Sequence, residues 1–578
     1  KTLHIINSRH NLDINIDEID LTDIKVYNNI FSKGNTVGIF QFESDGMRDY
    51  LSQLKPTSID DLISMTSLYR PGPMASIPEF IARKKGKSKI QYLHPLLEPI
   101  LNETYGIIVY QEQVMEISST VGGFSLAESD IMRRAMGKKK KNLMASYKIK
   151  FVDGAKEKGV NKTTAIEIFE LLEKFAEYGF NKSHAAAYSV ISYQTAWLKN
   201  YYPTEFMAAN ISSDINDTNK VVKLISDAKK MDIKIMPPDI NKSSADFIIN
   251  EDKVIQYGLA AIKNVGYKVA EIIANERKKN GPYQSIFDLC TINSKLINKK
   301  AIESLILVGA CNSLSEHQAQ LHNSIDIIIE FTSKFHRNMN SNQESLFGSD
   351  QLSSIAYPSL ENVEEWSQDI KIKHEKELLG FYLTYNPLEK FSDDLNELST
   401  IDHRGFNTKK SEFIQLGGLI NDINLRYDKN NNQWAILMLD TNFGSLQVYV
   451  FYATYAKYAN EIKVDFPIFI KGKISAQTDE NFITQIIANK IYPLYDIKKR
   501  IIKNINIKIK FENKDQTLLD KLEKICLDNS GTCNIMLHLF SSQNRQQKIL
   551  INKYKTNPSS QVLILLRDIF GIKNVWLS

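Results

Sequence analysis

The residues between Gly179 and Lys199 follow the spacing of a long helix. Polar and aromatic residues recur at steps of three and four positions, which places them on one face: His184, Tyr188, Ser192, Thr195 and Lys199. The apolar residues fall elsewhere and can bury: Val190, Ile191, Trp197 and Leu198. The pattern predicts a helix with one polar, aromatic face, entered through a turn at Gly179.

The start of this predicted helix carries two basic residues. Ser183 is the expected N-cap, because its hydroxyl can accept hydrogen bonds from free backbone N–H groups. Lys182 and His184 flank that cap. A helix N-terminus has unpaired N–H groups and a partial positive charge, so it suits a phosphate. On these residues alone, an ordinary amphipathic helix with a hydrogen-bonded histidine is an equal alternative.

A second basic cluster follows the stretch Ser125-Leu-Ala-Glu128, which is a capping box. The helix that it starts is predicted to run to about Met136, where Gly137 ends it. Six basic residues then fall within nine positions: Arg133, Arg134, Lys138, Lys139, Lys140 and Lys141. A cationic cap that complements the helix dipole explains one or two of them, but not six.

The stretch Ile262-Lys-Asn-Val-Gly266 precedes a predicted helix from about Tyr267 to Glu276. It resembles a helix-hairpin-helix element, whose turn directs backbone N–H groups at a DNA phosphate without reading bases. The helix dipole adds to this, as do the charges of Lys263 and Lys268. Many helical hairpins contain glycine, so an ordinary hairpin is the alternative. A second, weaker unit is expected over 299–309.

Two β-rich regions end the chain. Five short strands are predicted at 413–420, 434–439, 445–451, 467–474 and 482–487, the strand count of an OB fold. In the third, Leu446, Val448 and Val450 face one side, while Gln447, Tyr449 and Phe451 face the other. Either the strand is buried on both faces, or its aromatic face stacks unpaired template bases. The order β-α-β-β-α-β over 500–578 predicts a split βαβ sandwich.

Composition narrows the class of protein. A chain of 578 residues, 43% hydrophobic and 24% charged, is expected to form several globular domains. Because the net charge is only +5, any nucleic-acid contact must come from local clusters. No apolar run approaches the ~20 residues of a membrane span. The four scattered cysteines predict reduced structural thiols, consistent with the cytoplasm.

Several stretches, in one order along the chain, resemble the bacterial DNA polymerase III alpha subunits, the C family of replicative polymerases: Phe40-Gln-Phe-Glu-Ser44, Arg70-Pro-Gly-Pro73, Tyr105-Gly-Ile-Ile-Val-Tyr-Gln-Glu-Gln-Val-Met115, Arg133-Arg-Ala-Met-Gly-Lys-Lys139 and Asn181-Lys-Ser-His184. The resemblance implies a multidomain α+β chain. Its expected domains are the polymerase fingers (1–210), a connection (211–255), a helix-hairpin-helix domain (256–330), a linker (331–412), an OB fold (413–495) and a C-terminal split βαβ domain that binds the clamp-loader tau subunit (500–578).

The resemblance also implies roles for residues. The dNTP-binding set is Arg133, Arg134, Lys182, His184, Arg70 and Tyr188, in which cations neutralise the triphosphate and Tyr188 approaches the nascent base pair. Arg70, in a rigid proline turn, is equally well read as an exposed turn residue. The DNA-binding set is Lys138, Lys139, Lys263, Gly266, Tyr449 and Phe451.

A short peptide in the linker resembles the sliding-clamp-binding pattern Gln-x-x-Leu-Phe. Its residues are Gln343, Leu346 and Phe347, and such a segment inserts two apolar side chains into a pocket. The pattern is short and arises often by chance, but its position in a polar linker supports it. The implied partners are primed DNA, dNTPs, the sliding clamp, the tau subunit and a proofreading exonuclease, with no membrane.

No catalytic residue is expected in this chain. The acids of the first 35 residues lie in a polar, loop-like run without strands: Asp13, Asp17, Glu18, Asp20 and Asp23. The resemblance implies palm aspartates upstream of Lys1 that hold two Mg²⁺ ions. We therefore predict part of a DNA-directed DNA polymerase that is inactive alone. The alternative is a non-catalytic, clamp-tethered DNA-binding scaffold.

Overall fold

The computed structural model describes residues 1–137, 141–176, 179–293, 297–340, 357–400, 413–441, 444–474, 485–510, 516–540 and 546–578. The chain forms two compact units, Lys1–Thr384 and Tyr385–Ser578. Among the described residues, no helix combines the length and the apolar character needed to cross a membrane.

The first unit begins with a helical region built around two hydrophobic cores. Its helices are Thr2–His10, Ile24–Val26 (continued by the π-helix Tyr27–Phe31), Asp45–Leu54, Ile59–Leu68, Ile77–Lys84, Glu98–Leu101, Gln111–Thr120, Leu126–Gly137, Lys141–Glu157, Lys162–Ala176, Lys182–Tyr201, Pro203–Ser213 and Thr218–Lys230. The first core buries Phe31, Phe42 and Tyr193, and it extends through the rest of the unit. The extended segment 107–110 contributes to both cores.

The second core is small and tightly packed. Val114, Ile117, Phe151, Phe169 and Leu172 lie in it with almost no exposed surface. The predicted capping box forms, because Ser125 and Glu128 exchange hydrogen bonds between side chain and backbone. A Cβ at Gly154 would lie 2.0 Å from the carbonyl oxygen of Gly122, so only glycine permits this approach of helix Lys141–Glu157.

A three-stranded sheet follows this helical region and falls almost entirely within the predicted connection. Its strands are β1 (Lys234–Met236), β2 (Ile248–Glu251) and β3 (Val254–Gln256), in the order β1-β3-β2. The remaining helices of the unit are Tyr267–Asn280, Ile286–Asn293, Lys299–Leu307, Gln318–Asn323, Ile325–Asn340 and Gln368–Leu379. The buried side chains of Ile262 and Val265 join the first core, so the turn at Gly266 rests on it.

The second unit contains the predicted five-stranded barrel. After helix Ser392–Leu398, the strands are β4 (Phe413–Tyr427), β5 (Gln433–Thr441), β6 (Gly444–Val450), β7 (Pro467–Ile474) and β8 (Gln485–Pro493). They close in the order β4-β5-β6-β8-β7, and β6 pairs β8 in parallel. Phe451 was predicted as the last residue of the third strand. In the structure it is instead the N-cap of helix Tyr452–Tyr458. Short apolar runs of this kind do not separate helix from strand by periodicity alone.

The C-terminal region has the predicted element order but a different sheet. Helix Ile497–Ile501 leads into it, followed by β9 (Asn504–Lys510), helix Gln516–Asp528, β10 (Ser530–Phe540), β11 (Gln546–Thr556), helix Ser560–Phe570 and β12 (Val575–Leu577). The sheet order is β11-β10-β9-β12, and β9 pairs directly with β10 in parallel. The predicted split βαβ is therefore wrong, because no strand lies between β9 and β10. Element order does not determine strand order.

Candidate nucleotide and nucleic-acid interface

Asn181, rather than the expected Ser183, caps helix Lys182–Tyr201. Asn181 has extended backbone angles (φ −72°, ψ 119°), and its side-chain oxygen accepts the backbone N–H of His184 at 2.8 Å. Ser183 therefore lies inside the first turn. Asparagine and serine are similarly good caps, so the backbone decides between them, and the backbone before Lys182 is held extended by another segment.

The carboxylate of Glu112 occupies the start of the same helix. Its two oxygens lie 3.1 and 3.0 Å from the backbone nitrogen of Lys182, and one accepts from the side-chain amide of Asn181 at 3.0 Å. A helix N-terminus stabilises an anion through its free N–H groups and its dipole. The position that the sequence predicts for a phosphate thus receives a carboxylate from helix Gln111–Thr120.

Two of the motif stretches meet at this point through their backbones. Phe180 donates its N–H to the carbonyl of Val109 at 3.2 Å, and Gln111 donates its N–H to the carbonyl of Phe180 at 2.9 Å. The Gln111 side chain also donates to the carbonyl of Gly179 at 2.9 Å. We refer to these paired residues as the 109–111/179–180 seam. It fixes the extended entry to helix Lys182–Tyr201.

Lys182 projects from the seam toward a second carboxylate. Its Nζ lies 2.6 Å from an oxygen of Glu103 and 5.4 Å from the centre of the Tyr110 ring. Both partners of the ion pair are about one third exposed, so water and salt screen it. The Lys182 ammonium is therefore accessible to a competing anion.

A continuous array of rings follows the exposed face of helix Lys182–Tyr201, and the guanidinium of Arg70 lies against its first ring. The Arg70 guanidinium lies 4.2 Å from the centre of the Phe180 ring, and partial burial lowers the pKa of Arg70 from its ordinary value. The ring centres of Phe180 and His184 are 5.5 Å apart, and those of His184 and Tyr188 are 4.4 Å apart. Tyr188 stacks on Phe40 at 5.3 Å and 12°. The structure thus brings Arg70, His184 and Tyr188 together.

Phe40 is held in this array by two polar residues from the predicted polar face, which are buried. The Ser192 hydroxyl donates to the carbonyl of Phe40 at 2.7 Å. Lys199 donates to the carbonyls of Asn35 and Val37 and pairs with Asp227 at 2.7 Å. Lys199 and Ser192 are therefore structural residues that position the loop carrying Phe40.

Arg133 and Arg134 share one carboxylate on their own helix. Their guanidinium nitrogens lie 2.7 and 2.8 Å from the two oxygens of Asp130, and the Arg133 guanidinium holds the pKa of that carboxyl below its ordinary value. The side chain of Arg134 is 68% exposed, whereas Arg133 is largely covered. Among the described residues, neither arginine shares a hydrogen bond, ion pair or ring contact with Lys182 or His184. Their helix packs against helix Gln111–Thr120, which carries Glu112.

The turn before helix Tyr267–Asn280 is open to solvent. Gly266 is its N-cap, with extended backbone (φ −64°, ψ 158°), and a Cβ there would meet no atom within 4 Å. Lys263 is exposed, and Asn264 in the left-handed region (φ 72°) donates from its side chain to the Ser304 hydroxyl at 3.1 Å. The free N–H groups of this helix start are thus accessible to a DNA phosphate.

Three rings cover one face of the barrel. Tyr449 and Phe451 flank Trp434 of β5, with ring centres 6.3 and 5.6 Å from the indole. Val448 and Val450 point into the barrel core, as the alternation predicts. Trp434 was not among the predicted site residues, because the predicted aromatic face was confined to the third strand.

Several predicted site residues lie outside the described parts of the chain. They are Lys138, Lys139, Gln343, Leu346 and Phe347. Within the described residues, no group of three or more histidine, cysteine, aspartate or glutamate side chains could hold a metal ion. The described residues of this chain therefore offer no ligand set for the two Mg²⁺ ions, which the resemblance places on palm aspartates.

Comparison with known families gives the class of the two helical regions. Residues 1–159 match the family described as the bacterial DNA polymerase III alpha subunit finger domain. Residues 232–321 match the helix-hairpin-helix motif family, which confirms the motif predicted around Gly266. Residues 109–111 of the seam lie within the first match, as do Arg70 and Phe40. The rings of Phe180, His184 and Tyr188 follow it in the sequence.

Curated relatives extend this match to the whole chain. The DNA polymerase III subunit alpha of Borreliella burgdorferi is 39% identical over 594 residues, which cover 100% of this chain and 51% of the relative. Those of Bacillus subtilis (35%, covering 99% and 50%) and Vibrio cholerae (33%, covering 98% and 49%) are also similar. We therefore place the chain in the family of bacterial DNA polymerase III alpha subunits. It spans about half the length of the curated relatives it matches.

Proposed function

We propose that this chain is the part of a replicative DNA-directed DNA polymerase that binds dNTP, template and sliding clamp. The reaction of the full-length subunit is attack by a primer 3′-hydroxyl on the α-phosphate of a dNTP, with release of pyrophosphate. The observation that carries the proposal is the start of helix Lys182–Tyr201. There an anion site at the helix N-terminus, held in this structure by the carboxylate of Glu112, lies beside an accessible lysine and an array of rings.

In this proposal, the triphosphate lies against Lys182 and His184, and it exchanges places with the carboxylates of Glu103 and Glu112. Arg133 and Arg134 neutralise the charge that develops on the leaving pyrophosphate, which is the main task of a protein in phosphoryl transfer. Arginine suits this role because its planar fork binds two phosphate oxygens and always stays charged. The exposed guanidinium of Arg134 is the more accessible of the two.

The base of the dNTP is proposed to approach Tyr188. The Tyr188 ring stacks on Phe40 and neighbours His184, so it continues a surface of ring faces away from the phosphate site. Arg70 is proposed to support this surface through its contact with Phe180. Two Mg²⁺ ions, held by palm carboxylates of the full-length subunit, would supply charge stabilisation at the reacting phosphate.

DNA is proposed to bind at three further places. The turn at Gly266, with Lys263, holds a backbone phosphate of the duplex. Lys138 and Lys139, which follow Arg134 in the sequence, add positive charge for the DNA backbone. The rings of Tyr449 and Phe451, joined by Trp434, stack unpaired template bases, at about 1–3 kcal/mol per base.

Two protein partners complete the proposal. Gln343, Leu346 and Phe347 are proposed to bind the sliding clamp, and the C-terminal region is proposed to bind the clamp-loader tau subunit. A proofreading exonuclease is a further proposed partner of the full-length subunit. In the full-length subunit, Leu346→Ala with Phe347→Ala should abolish stimulation by the clamp and leave unassisted synthesis intact. Full stimulation of the double variant would refute the assignment.

The deciding experiment measures primer extension by the full-length subunit carrying Arg134→Ala. We expect the KM for dNTP to rise at least tenfold, since a charge-assisted contact to phosphate is lost. The affinity for primed DNA should not change. Arg500→Ala, an exposed arginine of the second unit, is the matched control. An unchanged dNTP dependence of the Arg134 variant rejects the assignment.

A further inference from the structure

The C-terminal sheet has one covered and one open face. Both helices pack on the same side, where Ile505, Ile507, Ile535 and Leu537 form a buried core with Val575. Because successive strand residues point to opposite sides, the alternate residues form the other face. Within the described residues no helix packs on that side, and several of its side chains are exposed.

The open face is positively charged, with its lysines on β9 and β11. None of the four strands contains an aspartate or a glutamate. Within the described part of 503–578, every aspartate and glutamate lies on one of the two helices: Asp520, Glu523, Asp528 and Asp568. Exposed lysines of the open face are Lys508, Lys510 and Lys548. This face therefore has no carboxylate of its own strands to balance its cations.

The register of the strands orders these residues in rows. Lys508, His538 and Lys548 lie side by side across β9, β10 and β11. The neighbouring row places Trp576 beside Asn506, followed by Met536 and Leu550. Since adjacent strands are about 4.8 Å apart, the two lysines are separated by about 10 Å at the backbone. A row of cations thus runs next to a row that carries an exposed indole.

Rings and amides lie between the cations. The indole of Trp576, which is 38% exposed, lies 4.7 Å from the imidazole of His538. His538 is fixed by a 2.9 Å contact between its Nε2 and the side-chain oxygen of Asn506. The Lys508 ammonium lies 4.3 Å from the centre of the Phe540 ring. The ring faces are therefore fixed in position before any ligand binds.

We propose that this open sheet face binds single-stranded nucleic acid. Lysines neutralise the phosphates, and Trp576 and His538 offer ring faces on which bases stack in any sequence. A four-stranded sheet with exposed rings binds single strands in the same way in common RNA-binding domains. An acidic peptide would use the lysines but would leave the rings without a planar partner, so the nucleic acid is the better fit.

The test compares charge reversals on the two faces of this sheet in the full chain. Lys508→Glu with Lys548→Glu changes the open face, and Lys521→Glu with Lys524→Glu makes the same charge change on the helix that covers the other face. Binding of a fluorescent homopolymeric single strand is measured over a range of salt concentrations. Each charge-reversed pair is also combined with Trp434→Ala and Phe451→Ala. These two substitutions remove the proposed stacking of bases on the barrel.

We expect the open-face pair to weaken binding at least tenfold and to lower the salt slope by about 1.4, since each lysine contacts one phosphate of a single strand. Trp576→Ala should weaken binding about tenfold, and Trp576→Phe should retain most of it. Equal affinities and slopes for the two charge-reversed pairs overturn the proposal. Binding of polyglutamate is measured in parallel. If the open-face variant loses binding to polyglutamate but keeps binding to the single strand, the face belongs to an acidic protein partner instead.

Photo-crosslinking gives a readout that does not depend on any variant. Single strands containing iododeoxyuridine should crosslink to the wild-type chain at peptides that contain His538 or Trp576. Crosslinks confined to the barrel and the helical unit would overturn the proposal.

Discussion

Glu112 contacts the backbone nitrogen of Lys182 with both oxygens of its carboxylate, at 3.1 and 3.0 Å, across 70 residues of sequence. One helix thereby supplies the counter-charge for the start of another. The contact explains why the stretch that contains Glu112 and the stretch that contains Lys182 are parts of one site, although neither is informative about the other in the sequence.

Replacing Glu112 by alanine should destabilise the helical unit by about 1–2 kcal/mol, the range for losing an N-terminal cap together with a favourable charge. Denaturant unfolding followed by circular dichroism measures the change. Glu116→Ala, an exposed glutamate on the same helix, is the control and should alter stability by less than about 0.5 kcal/mol. Equal effects of the two variants would show that the N-terminal contact contributes nothing.

Replacing Glu103 by glutamine should strengthen nucleotide binding about two- to fivefold, because Lys182 loses its competing carboxylate and the exposed pair is worth less than about 1 kcal/mol. Equilibrium titration with a dNTP measures the affinity. Glu98→Gln, an exposed glutamate five residues earlier, should leave it unchanged. Weaker binding by the Glu103 variant would mean that Lys182 is not a phosphate ligand.

Replacing Lys199 by methionine should cost about 3–5 kcal/mol of stability, since Asp227 and the carbonyls of Asn35 and Val37 lose their common donor. Thermal unfolding detects a loss of this size. Lys230→Met, on the helix that carries Asp227, removes an exposed lysine and serves as the control. A small effect at Lys199 would show that water replaces the ammonium.

The cysteines should be unreactive in the folded chain at pH 8. Burial raises the pKa of Cys290 to about 12 and of Cys526 and Cys533 to about 11, and burial also raises the pKa of Cys311. Only the thiolate is alkylated, so a raised pKa and a covered sulfur both slow the reaction. All four should react with iodoacetamide only after denaturation, as counted by mass spectrometry. Rapid labelling of one in the native chain would contradict its burial.

Elements with long or repeated patterns were predictable from the sequence. The helix Lys182–Tyr201, the capping box at Ser125 and the five strands of the barrel follow from spacing, because each pattern determines its own local structure. The turn at Gly266 was predictable for the same reason.

Features that depend on distant contacts were not predictable. Asn181 caps its helix instead of Ser183 because the seam holds the preceding backbone extended. Glu112 belongs to the site only through a contact between helices. The direct pairing of β9 with β10 is a contact between strands separated by a helix, which the order of elements leaves open. The proposed roles of Arg133 and Arg134 remain predictions.

The 109–111/179–180 seam lies where the two hydrophobic cores of the fingers region meet. It joins helix Gln111–Thr120, against which the arginine helix packs, to the first turn of helix Lys182–Tyr201. A tilt of the second core would act on these hydrogen-bonded peptide groups and on the segment 107–110, which contributes to both cores. In the proposed function, closure around a nucleotide would change the backbone angles near Phe180 and carry Arg134 with the second core.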